Sequence, residues 1–395
     1  MSLLNDIQTG TETLIADDRF KDRVNYPQKK LRVKLGVDPT RPDLTFGHMV
    51  VLNKLRQFQD MGHQGILIIG DYTAMIGDPA GRSVLRPSLS KEEVQKNAET
   101  YLDQAYKILD RNRTEVHRNS QWFESMSFEE CLNLSRRMTV ARMLERDDFS
   151  KRYRGNIPIS IVEFLYPLIQ GYDSVMIKSD VELGGSDQLF NMLVGRKLQE
   201  EQGLIPQAVI TTPLLVGLDG EKKMSKSSNN YIAFNDPPQE MFGKIMSIND
   251  DLMWDYYRLL LSTKDDEIDQ MKKENHPMEN KKHLAKSLVS QLYNPEISQY
   301  QLDNWNAVFS KNQVPNAMPE YFWEDRFSSK TQCVLTDLLS ASNLFASKGA
   351  AKRLVQQGAI KVNGVKIIDP NSIWEKPVEP MVIQSGKRLF FRVIP

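Results

Sequence analysis

The sequence predicts an α/β protein: a doubly wound parallel sheet, followed by an α-helical stretch and a small α+β module. Three observations predict it. Strand, helix and strand signals alternate from residue 31 to 71. Residues 235–325 are polar and helix-rich, with lysine and acid blocks such as "KDDEIDQMKKENHPMENKK". Residues 331–395 turn basic, with nine Lys or Arg against four Asp or Glu. A chain of 395 residues is long enough for two or three domains. The composition changes set the expected divisions at 1–232, 233–328 and 329–395.

The elements follow in order. "LRVKLGV" (31–37) alternates like a strand, and "HMVVLNKLRQFQDMG" (48–62) reads as a helix. In it Leu52, Leu55 and Phe58 share a face and Gly62 suits the C-terminal end. "GILIIGD" (65–71) is a short apolar run of the kind found in buried parallel strands. Together these make a βαβ unit. Ser90 with Glu93 opens a long helix as a capping box. "KNQVPNAMPEYF" (311–322), with two prolines and an asparagine pair, reads as a linker.

Bulk properties exclude several classes. Lys plus Arg and Asp plus Glu both number 51, so no global field favours nucleic acid or a membrane. The basic tail is the exception. Its charge suits an RNA or phosphate contact as well as a solvated basic face, and charge alone does not choose. Cys131 and Cys333 match no metal or redox spacing, and the five histidines form no pair at metal-ligand helical spacing. No apolar run approaches membrane length. The N-terminal stretch carries acids and lacks a signal-peptide core. A cytoplasmic protein is expected.

Two stretches carry the chemistry. "VDPTRPDLTFGHMVVLNKL" (37–55) is the turn after the first strand of the βαβ unit, where ligands of such sheets bind. The following helix presents unpaired N–H groups and a positive dipole end to an anion. Gly47 allows close backbone approach. Thr40, Thr45 and His48 can donate to phosphate oxygens. Alone, this cluster would pass for an ordinary helix cap. "GLDGEKKMSKSSNNYIAF" (217–234) holds Lys223-Met-Ser-Lys226-Ser227 in a turn-prone loop. Two lysines three apart, with small hydroxyl residues, can close over a polyphosphate.

The pair resembles the two signatures of class I aminoacyl-tRNA synthetases, His-Ile-Gly-His and Lys-Met-Ser-Lys-Ser. The first reads Thr45-Phe46-Gly47-His48 here; the second is unchanged. "FLYPLIQGYDSVMI" (164–177) places Tyr166, Gln170 and Asp173 on one helix face. That pattern is similar to the tyrosine-binding helix of bacterial-type tyrosyl-tRNA synthetases. "TAMIGDPAGR" (73–82) resembles the family segment whose aspartate, Asp78, faces the same pocket, and Asn119 in "RNSQW" matches another pocket position. "ELGGSDQLFN" (182–191) resembles the family's Gly-Gly-Ser-Asp-Gln turn, with Gln188 toward tyrosine. "SKGAAKRLVQQGAIKVNGVKI" (347–367) resembles an S4-type RNA-binding module with Asn363-Gly364 at a hairpin tip.

The resemblance implies a Rossmann-like catalytic domain with an inserted dimerisation segment around "RRMTVARMLERDDFSKRY" (136–153), then helical and S4-like domains. It implies two reactions: tyrosine and ATP give tyrosyl-adenylate and pyrophosphate, and tyrosine then passes to the 3′ end of tRNA(Tyr). Gly36, Asp38, Gly47, His48, Gly185, Asp187 and Lys226 would hold ATP. Arg82 and Arg86 would join Thr40, Thr45, His48, Lys223, Lys226 and Ser227 at the phosphates. Magnesium would accompany ATP without a dedicated protein site. Lys348, Lys352 and Arg353 would meet tRNA, and the enzyme would be a homodimer.

Two positions depart from the pattern. Lys34 stands where many members have a tyrosine that binds the substrate phenol; a structural pairing, with an acid such as Asp71, is expected. Thr45 replaces the first signature histidine, which removes a charge and shortens the reach. A tryptophan-activating relative would share the signatures but not the Tyr166/Gln170/Asp173 stripe or the tail. A nucleotidyltransferase would have no use for the tail. An RNA-binding scaffold with lost chemistry would have no use for an intact 223–227 loop.

Overall fold

The computed structural model describes residues 7–26, 29–78, 90–274, 276–310, 318–327, 330–342, 344–345, 347–386 and 389–395. Two compact units emerge, Met1–Ser298 and Gln299–Pro395.

The first unit is built on a six-stranded sheet. In chain order its strands are β1 (Thr13–Ile15), β2 (Arg32–Val37), β3 (Gln64–Ile69), β4 (Thr114–Arg118), β5 (Val181–Gly185) and β6 (Ala208–Thr212). They lie in the order β1-β6-β5-β2-β3-β4. β2 through β6 pair in parallel, and β1 closes the edge antiparallel to β6. The chain winds outward from β2 to β4, then returns to β5 on β2's other side. That reversal opens a crevice beyond the carboxyl ends of β2 and β5, where such sheets bind ligands.

Helices fix the walls of that crevice. α1 (Phe46–Asp60) starts at Thr45 and buries Leu52, Leu55 and Phe58. Gly62 ends it at φ +93°, a left-handed conformation that a side chain would disfavour. α2 (Lys91–Ala105) opens on the capping box, Glu93 N–H donating to Ser90 Oγ at 3.2 Å. α3 (Ile161–Ile177) and α4 (Leu189–Glu201) cross almost backbone to backbone: a Cβ on Gly171 would lie 2.9 Å from the Gly195 nitrogen. Only glycines permit this approach, and it draws the polar face of α3 against β5.

The helical stretch as far as Ser298 belongs to the same unit and includes α5 (Pro238–Ser247), α6 (Asp250–Leu260) and α7 (Pro277–Leu292), and the unit boundary falls at Ser298 where the composition suggested 328. Asn53 of α1 donates to the Leu260 carbonyl at 2.7 Å and accepts from Gln291 of α7 at 3.1 Å.

The second unit holds a five-stranded sheet, β10-β9-β12-β13-β7, and a two-stranded one, β11-β8. Its elements are β7 (Glu320–Phe322), β8 (Gln332–Val334), α8 (Leu335–Ala341), α9 (Lys348–Gln356), β9 (Ile360–Val362), β10 (Val365–Ile367), β11 (Ile373–Glu375), β12 (Met381–Ser385) and β13 (Leu389–Ile394). Trp323, Leu335, Leu339, Val355, Ile383 and Phe391 form its core. Asn363 (φ +45°) and Gly364 (φ +81°) turn the β9–β10 hairpin as the sequence predicts. Glu320–Phe322 differ from the linker reading: they pair in parallel with β13. Three residues carry too little periodicity to mark a strand whose partner lies some seventy positions away.

Among the described residues no helix is long and apolar enough to cross a membrane, and no cluster of His, Cys, Asp or Glu could hold a metal ion.

Candidate active site

The crevice gathers residues from every strand end around it. Asp38, just past β2, is its hub. Its two carboxylate oxygens accept from Thr73 Oγ1 at 2.7 Å and Tyr166 Oη at 2.8 Å. Gly70 makes room for this: a Cβ there would fall 2.2 Å from both Asp38 Oδ1 and Thr73 Oγ1. Burial, then the Asp38 and Asp78 carboxylates, raise the Tyr166 phenol well above its ordinary range. It therefore stays protonated and donates.

A hydrogen-bond chain lines one wall. Gln188 Nε2 donates to Asp78 Oδ2 at 2.8 Å, and Asn191 Nδ2 bridges Gln188 Oε1 and Gln170 Oε1 at 3.0 Å each. Gln170 in turn donates to Glu182 at 3.4 Å. At the closed end Asp173 accepts from Trp122 Nε1 at 3.0 Å and also bonds the Asn119 side chain. Tyr166, Gln170 and Asp173 do share one face of α3, and the structure brings Asp78, Asn119 and Gln188 to them. Asn191, Trp122 and Glu182 complete this wall, though no sequence signal singled them out as pocket residues.

Lys34 makes a structural pair, but with Glu182 at 2.8 Å. Asp71 instead accepts from Ser120 N–H at 2.9 Å and Ser120 Oγ at 2.7 Å. Register decides this: Lys34 and Glu182 face each other across β2 and β5, whereas Asp71 lies beyond the end of β3.

The other end carries the two signatures. Thr45 N–H donates to His48 Nδ1 at 3.1 Å, which makes Nδ1 an acceptor and leaves the ring proton on Nε2. Burial and the nearby Lys226 lower the His48 pKa to about 4, so the imidazole is neutral at neutral pH. Thr45 Oγ1 lies 2.9 Å from the same Nδ1, and Thr45 itself is buried. Its hydroxyl is thus turned onto His48, where the sequence alone suggested a phosphate donor. Side-chain length explains this, since the hydroxyl of an N-terminal cap reaches only the first helical turn.

Lys223 pairs with Asp187 at 3.1 Å, across the turn after β5. Lys226 Nζ is buried without a hydrogen-bond partner among the described residues. It lies 5.8 Å from the centre of the Tyr101 ring, and Tyr101 also meets His48 edge-on at 6.4 Å. Tyr101, a lone aromatic on α2, thus links the two signatures and had no sequence signal. Burial, helped by the Arg41 charge and opposed by the Asp43 carboxylate, lowers Lys226 to about 8. Ser227 Oγ contacts Ser225 Oγ at 3.1 Å. Gly36 has open space above it, Gly47 lies beside Met224, and Gly185 packs against Asp187 and Leu214. Thr40 N–H closes a turn onto the Asp38 carbonyl at 2.7 Å. Arg82 and Arg86 fall outside the described residues.

In the second unit Lys352 and Arg353 are exposed on α9, and Lys348 pairs with Asp337. Ala351 and Val355 bury the opposite face.

The comparisons agree with this geometry. Residues 26–310 match the model of tRNA synthetases class I (W and Y), and residues 312–393 match a tyrosine–tRNA ligase SYY-like C-terminal domain. A tyrosine–tRNA ligase of Thermotoga maritima is 50% identical over 96% of this chain and 94% of its own. That of Oleidesulfovibrio alaskensis is 47% identical over 99% and 98%. In fold, a C-terminally truncated mitochondrial tyrosyl-tRNA synthetase of Aspergillus nidulans superposes with a TM-score of 0.64 at 20% identity, covering 78% of this chain and 94% of that one. The L-tyrosine-bound enzyme of Archaeoglobus fulgidus gives 0.61 at 22% identity, over 76% and 99%. The chain therefore belongs to the class I tRNA synthetases of the tryptophan and tyrosine type and carries the C-terminal domain of the tyrosine–tRNA ligases.

Proposed function

We propose that this chain is a tyrosine–tRNA ligase, and that the crevice binds tyrosine at its closed end and ATP at its mouth. One observation carries the reading: a buried acceptor, Asp173, shares Asn119 with the network of Thr73, Asp38 and Tyr166 past β2, and His48 and Lys226 lie together at the start of α1. Asp173 accepts the substrate phenol hydroxyl. Tyr166, Gln170 and Asp78 surround the α-ammonium, with Gln188 and Asn119 holding them in place.

A tyrosine carboxylate oxygen attacks the α-phosphorus of ATP, and the bond to the β-phosphate breaks to release pyrophosphate. The carboxylate is already ionised, so the work is positioning and charge stabilisation. His48 Nε2–H donates to the phosphates, Thr45 orients that ring, and Thr40 contributes at the turn. Lys226, Lys223 and Ser227 close on the leaving pyrophosphate, joined by Arg82 and Arg86. Asp187 takes the ribose hydroxyls in place of Lys223. Gly36, Gly47 and Gly185 leave room for the nucleotide, beside Asp38. Magnesium would accompany ATP and neutralise phosphate charge, without a dedicated protein site. In the second step the 3′-terminal ribose hydroxyl of tRNA(Tyr) attacks the tyrosyl carbonyl carbon and AMP leaves.

Residues 1–232 serve catalysis, 233–328 the anticodon side, and 329–395 RNA binding through Lys348, Lys352 and Arg353. The enzyme works in the cytoplasm as a homodimer. Exposed Phe128, Val140, Tyr153 and Ile161, each more than 60% accessible, support a partner surface on the inserted segment.

The test is ATP–pyrophosphate exchange with tyrosine, tryptophan and phenylalanine offered separately. Exchange with tyrosine alone is expected; exchange with tryptophan, or with none, overturns the reading. Deleting residues 331–395 should spare exchange and impair tRNA charging. Full charging by the truncated protein would remove the tail from tRNA recognition.

A further inference from the structure

Lys34 of β2 and Glu182 of β5 sit beside the part of α3 that carries Gln170 and Asp173. The side chains of Lys34 and Glu182 are 0% and 2% exposed. Lys34 Nζ reaches three acceptors: Glu182 Oε1 at 2.8 Å, Ser174 Oγ at 2.8 Å and the Gln170 carbonyl at 3.0 Å. Three donors thus meet three acceptors, with none left over. The second Glu182 oxygen accepts from Ser174 Oγ at 3.1 Å and from Gln207. Gln170 and Ser174 bracket Asp173 on α3. A buried ion pair contributes little to stability beyond what packed apolar residues would give. Stability alone therefore does not explain the pair.

The charged groups facing Asp173 are Lys34 from β2 and Glu182 from β5. Asp38 and Asp78 act on Tyr166, and His117 of β4 packs against Trp122 with ring centres 6.4 Å apart. Carboxylates dominate this surrounding, and Lys34 is the cation among these groups. We propose that Lys34 is the positioning residue of the tyrosine pocket: it ties Gln170 and Ser174 to β5, and its ammonium is the positive charge behind the Asp173 carboxylate that accepts the phenol hydroxyl. This rests on the assignment of Asp173 to the phenol. In this reading the strand supplies charge to the acceptor and not a second hydrogen bond to the substrate. Burial raises the Asp173 carboxyl to about 7, Lys34 opposes that rise, and Glu182 adds to it.

The test measures tyrosine KM by ATP–pyrophosphate exchange from about pH 5.5 to 8.5 in wild type, E182Q and K34M/E182Q. In wild type, KM should rise as pH falls through about 7, where Asp173 takes a proton. E182Q removes a like charge and keeps Lys34, so the rise should move down by about one pH unit, read as a roughly fivefold lower KM at about pH 6. K34M/E182Q should move it back up. Only the step from E182Q to the double variant reads Lys34, and a common midpoint in those two overturns its role. Should K34M/E182Q not fold, K34Q/E182Q, which keeps a polar group toward Ser174 and the Gln170 carbonyl, takes its place. Asp173→Asn separates the two assignments. If it leaves the preference for tyrosine over phenylalanine intact, the phenol assignment itself fails; if it destroys that preference while the midpoints coincide, only Lys34 fails.

Discussion

At the tyrosine end of the crevice, Asp78, Gln188, Asn191 and Gln170 bond one another, and Trp122 holds Asp173. At the end proposed for the phosphates, Lys226 Nζ has no hydrogen-bond partner among the described residues and lies near the Tyr101 ring, and Lys223 rests on the carboxylate proposed for the ribose. The first set stands on helices and strand ends. The second stands largely on a loop whose cations lack their final partners. Under the proposed assignment the difference teaches how binding energy is divided: the pocket is organised before tyrosine arrives, whereas the phosphate site would be completed by ATP itself. Interactions made only then can favour the transition state over the ground state.

The largest effect expected from this contrast is at Lys226. Lys226→Ala should slow exchange about 100- to 1,000-fold, the scale for removing one transition-state charge contact. Tyrosine KM should not move. A raised tyrosine KM with unchanged kcat would erase the division between the two ends. Next in size is His48→Ala, expected at roughly 100-fold, against about tenfold or less for Thr45→Ala. Alanine keeps the backbone N–H that fixes the His48 tautomer and loses only the Oγ1 contact. Equal losses would mean that the Thr45 hydroxyl itself meets phosphate.

A pH profile sharpens the contrast further. Free Lys226 loses its proton as pH rises through about 8, so kcat/KM for ATP should fall above that value. Lys226→Arg should hold its own rate to higher pH, because a guanidinium stays charged. A fall at the same pH in both proteins would assign the titration elsewhere. Smallest is Tyr101→Leu. Losing the ring between His48 and Lys226 should cost about three- to fivefold, the worth of one cation–π contact, in ATP KM and not tyrosine KM.

Much of this was legible in the sequence because it is local. The capping box at Ser90, the apolar face of α1, the Asn363-Gly364 hairpin and the two signatures each lie within a few consecutive residues. The stripe of Tyr166, Gln170 and Asp173 needs only helical spacing. What was hidden depends on packing between distant segments. Glu182 is Lys34's partner because β5 happens to lie beside β2, a register that no spacing rule gives. Tyr101 is one aromatic on an amphipathic helix until α2 packs against the 223–227 loop. The direction of the Thr45 hydroxyl follows from its burial beside His48, which a motif comparison does not contain. Glu320–Phe322 become a strand only through β13.

Tyrosine binding measured by calorimetry without ATP, in wild type and Lys226→Ala, tests the prebuilt pocket most directly. One tyrosine should bind each site in both proteins with the same Kd. Tyrosine that binds only after ATP is added, or that binds Lys226→Ala markedly more weakly, would contradict it.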